Sequence, residues 1–83
     1  MITIDDFLAM NETEQGVAAM QGDFLADRRE GGHMVQLYHV GSFFVEVYYD
    51  PKNNRIARLQ ASNTRHILQQ YVQDLDLVAL INK

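Results

Sequence analysis

The sequence predicts an α+β domain in the order ααββββα: two N-terminal helices, a four-stranded antiparallel meander, and a C-terminal helix packed on one sheet face. Three observations predict it. Capping-box patterns recur at Thr3/Asp6 and Asn11/Glu14. From Asp23 onward, apolar and polar residues alternate with a period of two through four runs, separated by short Gly, Pro and Asn breaks. After Ser62 the apolar spacing returns to that of a helix.

Taken in order, Thr3 and Asp6 open a first helix over residues 4–10, and Asn11 with Glu14 opens a second that runs to about Gln21. The second helix puts Val17 and Met20 on one face, and Gly22 is placed to end it in a left-handed conformation. DFLADRRE, HMVQLYHV, SFFVEVYYD and NRIARLQAS read as strands. The breaks Gly31-Gly32, Gly41-Ser42 and Pro51-Lys52-Asn53 are short enough for hairpins, which makes the sheet a meander. Ser62 or Asn63 caps the last helix, whose apolar stripe is Ile67, Leu68, Tyr71, Val72 and Leu75. The tail DLDLVALINK reads as a short further helix capped by Asp76, or alternatively as an extra strand.

Register follows from the turns. A three-residue loop after Asp50-Pro51, with Asn53 in the left-handed slot, sets Tyr48 opposite Ile56, Glu46 opposite Arg58 and Val45 opposite Leu59. Phe43, Val45, Val47, Ala57, Leu59 and Ala61 then form an uncharged face for the helices. Phe44, Glu46, Tyr48, Ile56, Arg58 and Gln60 form the other. A two-residue type II′ turn at Gly41-Ser42 pairs Val40 with Phe43, His39 with Phe44, Leu37 with Glu46 and Val35 with Tyr48; a three-residue loop instead turns Val35 and Leu37 inward. With the two-residue turn both faces are apolar. Phe44, Tyr48, Val35, Leu37 and Ile56 then leave ~400 Å² or more for something to cover. A second copy or another protein is the expected cover.

Length and composition limit the possible functions. Eighty-three residues make one small domain, 1–83, with a thin core. An apolar fraction of 47% against 22% charged residues argues against disorder. Without cysteine there is no disulfide or thiolate metal site, which fits a reducing cytoplasmic location. MITIDDFLAM carries acids where a signal peptide needs positive charge, and no run approaches the ~20 apolar residues of a membrane span. A net charge of −4 with no basic block disfavours nucleic-acid binding.

The runs GDFLADRR (22–29) and FFVEVYY (43–49) resemble a group of short bacterial proteins. These join an acidic N-terminal helix to a G-x-F-L-x-x-R-R segment and an F-[FY]-V-E-V-Y-Y core. The likeness spans roughly residues 3–75. It implies a shared fold unit and a bacterial origin, and it brings no activity with it.

The chemistry-bearing residues are few. His33, His39 and His66 lack metal-ligand spacing, and no Walker loop, dinucleotide glycine pattern or nucleophile elbow is present, so neither metal nor cofactor is expected. Asp27-Arg28-Arg29-Glu30 reads as a charged hairpin end that discourages further strand pairing. The expected function is therefore a non-enzymatic interaction module that forms a homodimer or docks a protein partner through its aromatic sheet face. The residues of that face are Arg28, Leu37, His39, Phe44, Glu46, Tyr48, Ile56 and Arg58. The alternative is an enzyme or small-anion-binding protein in which His39, Glu46, Arg58 and Arg28 converge. A third reading stacks nucleic-acid bases on Phe44 and Tyr48.

Overall fold

Both N-terminal helices start at their capping boxes. The computed structural model describes residues 2–71. In α1, Ile4–Leu8, the Asp6 amide donates to Thr3 Oγ1 at 3.1 Å and the Thr3 amide donates to Asp6 Oδ2 at 2.9 Å. In α2, Glu12–Met20, the Asn11/Glu14 pair repeats the exchange at 2.8 and 3.0 Å. Each box satisfies two otherwise orphaned amides, and Asp6 and Glu14 sit at the positive ends of their helices.

The strands are β1 (Asp23–Glu30), β2 (His33–Val40), β3 (Phe43–Asp50) and β4 (Arg55–Ser62), in sheet order β1-β2-β3-β4. At the Gly41-Ser42 turn only Gly41 has positive φ (57°), as a two-residue type II′ turn requires. The expected pairs Val40–Phe43, His39–Phe44, Leu37–Glu46 and Val35–Tyr48 all form.

The β3–β4 hairpin departs from expectation. Four residues, 51–54, make the loop, and Asn54 rather than Asn53 takes positive φ, at 54°. Asp50 organises the loop by accepting from the Lys52 and Asn53 amides and from Asn53 Nδ2, and Tyr49 Oη bonds the Asn54 side chain. A register shift between Tyr48 and Tyr49 then sets Tyr48 opposite Arg58, Glu46 opposite Gln60, Val45 opposite Ala61 and Tyr49 opposite Ile56. The bulge leaves Ala57 unpaired and turns Ile56 to the helix face, away from the aromatic face where the sequence put it.

The sheet is covered on both sides. On one face α1 and α2 enclose Phe43, Val45 and Val47, and the Phe7 ring meets Phe43 edge-on at 5.5 Å. The small residues Gly16 and Ala19 face inward and let α2 lie close to the sheet, which leaves Val17 and Met20 outside. After Ser62 the chain crosses to the opposite face through two short turns, Thr64 amide to Ser62 Oγ and His66 amide to Thr64 Oγ1. There a 3₁₀ helix, Arg65–Tyr71, buries Ile67, Leu68 and Tyr71 against Ala26, Leu37 and Phe44. Its three-residue turn aligns Leu68 with Tyr71. The helices therefore do not share one sheet face. The expected stripe positions Val72 and Leu75 and the tail lie outside the described residues. Among the described residues no helix is long and apolar enough to cross a membrane.

Gly22 is not left-handed. Its demand is space: a Cβ there would lie 2.5 Å from the His39 carbonyl oxygen and 2.9 Å from Val40 Cγ2. Gly22→Ala should cost about 1–3 kcal/mol in urea denaturation. Gly32→Ala, which meets nothing within 4 Å and needs no positive φ, should stay within about 0.5 kcal/mol of the parent.

Candidate functional site

Glu46 lies at the middle of β3 with 1% of its surface exposed, on the face that the 3₁₀ helix covers. The β1–β2 register places Arg28 opposite Val35, and the β2–β3 register places Val35 opposite Tyr48, so Arg28, Tyr48 and Glu46 share that face. Arg28 Nη2 reaches both Glu46 Oε2 and Tyr48 Oη at 3.1 Å. Tyr71 Oη donates to the same Glu46 oxygen at 2.7 Å. At the rim, Glu30 accepts from Arg28 Nη1 at 2.9 Å and lies 3.7 Å from Arg58 Nη2. The Arg58 guanidinium rests on the Tyr48 ring, 3.8 Å from its centroid. The two carboxylates and two guanidinium groups balance to zero charge, as a group this deeply placed requires.

Burial works against the Arg28 charge, but its hydrogen bonds to Glu30 and Glu46 outweigh that and raise its pKa. Burial, together with the bond to Glu46, also raises the Tyr71 phenol well above its ordinary range. Tyr71 is thus held protonated, as a donor. The Arg28 bond holds Glu30 below the usual carboxylate range. Arg28 Nε is buried and has no partner among the described residues.

This arrangement corrects three expectations. Leu37, Phe44, Glu46 and Tyr48 are not a bare surface: the chain's own 3₁₀ helix and arginines cover them. Phe44 and Tyr48, at 5% and 4% exposure, cannot serve as base-stacking platforms. His39 does not converge with the carboxylate and arginines. It stacks on Phe44 at 4.9 Å near the far end of the face, and among the described residues no hydrogen bond or ion pair joins it to Glu46, Arg28 or Arg58. The Glu46–Arg28–Tyr71 group is structural in geometry, since the Arg28 Nη atoms and the Tyr71 hydroxyl all bond other side chains of the chain itself.

His39 instead lines an open cleft of ≈ 440 Å³ at the Ser42 end of the sheet, with Asp23, Leu25, Phe44, Asn63 and Arg65. A bulge between Phe24 and Ala26 turns both Leu25 and Ala26 toward this face. Sequence reasoning missed Tyr71 as a donor, and the signal was available: a tyrosine on an apolar stripe needs a partner for its hydroxyl. Asn63 and Arg65 carry no such signal, because only the crossing of the chain after Ser62 brings them to His39; Ser42 is there by its own hairpin turn. Compared with family models, curated proteins and solved structures, the chain matches none.

Glu46→Leu should destabilise the fold by about 3 kcal/mol because it leaves the half-buried Arg28 with only the rim carboxylate of Glu30 as counter-charge and the Tyr71 hydroxyl with no acceptor, and Tyr71→Phe should cost about 1–3 kcal/mol. The double variant Arg28→Met/Glu46→Leu should cost less than Glu46→Leu alone; equal or larger loss in urea melts would show that the charges are not coupled.

The pH dependence follows from the directions above. Glu30, with its folded pKa depressed, contributes stability at neutral pH that is lost as pH falls through the folded pKa; Asp50, lowered by its Asn53 hydrogen bond, does the same. The urea midpoint should therefore fall on acidification between about pH 7 and pH 3, with a shallower slope in Glu30→Gln. Tyr71 works in the opposite sense, its contribution persisting until pH rises beyond the ordinary tyrosine range.

Proposed function

We propose that this chain is a non-catalytic interaction module that pairs with a second copy of itself through the outer side of α2. The observation that carries this reading is the exposure of Val17 (54%) and Met20 (56%) along an open groove of ≈ 350 Å³ that reaches Ile56. Large apolar side chains gathered at a groove are where surface burial yields most on association. The aromatic sheet face offers no such gain, being already covered by residues 65–71.

A second copy fits the chemistry of the groove. It carries one charge of each sign, Glu12 on α2 and Arg55 at the start of β4. A two-fold interface needs a patch complementary to itself, and this one can set Glu12 of one protomer near Arg55 of its partner. The net charge of −4 opposes close approach elsewhere on two identical molecules. A thin core also gains from association, because each copy shields surface that a small domain cannot bury alone.

Light scattering across about 10 μM to 1 mM should show a dimer that the double variant Val17→Glu/Met20→Glu converts to monomer with an unchanged circular dichroism spectrum. A parent chain that remains monomeric at the highest concentration overturns the reading. So does a dimer that survives both substitutions.

A further inference from the structure

We infer that the cleft at the Ser42 end of the sheet is a binding site for a small zwitterion, an α-amino acid with an apolar side chain. The cleft shares no lining residue with the α2 groove, so this inference does not rest on the dimer. Its ≈ 440 Å³ falls in the size range of small-molecule sites, and its lining sets the apolar Phe24, Leu25 and Phe44 beside polar and charged side chains.

Phe44 and Leu25 are part of that apolar lining, and the His39 ring stacks over Phe44 at 4.9 Å with 24° between planes. Arg65 is a guanidinium with no ion-pair partner among the described residues, and Asn63 and Ser42 bring further donors to the same cleft. Asp23 brings a carboxylate that is likewise unpaired among the described residues. Arg65 and Asp23 therefore line one cleft without pairing with each other. A ligand with a carboxylate and an ammonium group on one carbon offers each of the two a partner, and its side chain then faces Leu25 and Phe44. A simple anion leaves Asp23 repelling it; a simple cation meets the same objection at Arg65. The fixed positions come from local sequence: the bulge at Leu25 shapes one wall, the Gly41-Ser42 turn sets another, and the turns at Ser62 and Thr64 deliver Asn63 and Arg65.

The test is a titration of the ¹⁵N-labelled full chain with L-leucine and L-phenylalanine, followed by amide shifts. In parallel, 3-phenylpropionate lacks the ammonium group and 2-phenylethylamine lacks the carboxylate. The expected result is saturable shifts at Asp23, Ser42 and Asn63 with either amino acid, and about tenfold or weaker binding of both analogues. Arg65→Gln and Asp23→Asn, both at exposed positions, should each weaken L-phenylalanine by a similar factor and leave the remaining spectrum in place. Equal binding of all four compounds would mean a greasy pocket without charge recognition, and overturns the proposal. Absence of shifts at about 50 mM amino acid, far above the affinity of a built site, overturns it as well.

Discussion

A carboxylate in the middle of a sheet face has to be met by donors, because leaving it bare against apolar neighbours costs several kcal/mol. Glu46 is met by Arg28 from β1 and by Tyr71 from the 3₁₀ helix. That one requirement ties together the first strand, the third strand and the segment that follows the sheet. It also decides which way the sheet is wound into the molecule. A slip of β3 by one residue would carry Glu46 to the face packed by α1 and α2, where Phe7 and Ala19 offer it no partner.

Energy alone does not favour such a group. Buried ion pairs return little net stability, and apolar replacements of similar shape often do as well. What the pair supplies here is discrimination. The two faces of β3 are otherwise almost equally greasy, Phe43, Val45 and Val47 on one side and Phe44 and Tyr48 on the other. With both faces apolar, helices could settle on either. The carboxylate marks one of them for the segment that brings a hydroxyl, and the small inward residues of α2 suit the other, where the helix must lie close.

Much of this was legible in the residues themselves. The capping boxes and the four strands depend on neighbours within a few positions and form where the sequence predicts; at Gly41-Ser42 the structure takes the two-residue turn of the two that the sequence offers. What escaped was of two kinds. The β3–β4 register turned on whether Asn53 or Asn54 took the left-handed conformation, two identical residues side by side, and the choice displaced every pair in the hairpin. Of the two donors to Glu46, the hairpins already place Arg28 on its face, and Tyr71 is the one that escaped. Tyr71 is 25 residues on, and no local pattern encodes the crossing of the chain after Ser62. Val17 and Met20 share a helix side, as their spacing predicts, but spacing does not say which side faces in; Gly16 and Ala19 decide that.

Covering both faces leaves the α2 groove and the Ser42 cleft as open concavities among the described residues. The groove runs on the helix face from Arg55 to Met20, and the cleft begins at Asp23, beside His39 and Ser42. The two are neighbours along the chain, because Gly22, just past α2, packs against the His39 carbonyl and Val40. Glu46 bears on the cleft as well. Its bonds to Arg28 and Tyr71 tie β1 and the 3₁₀ helix to β3, and those two elements carry Asp23 and Arg65. The carboxylate that marks one face of the sheet thus also fixes two walls of the cleft.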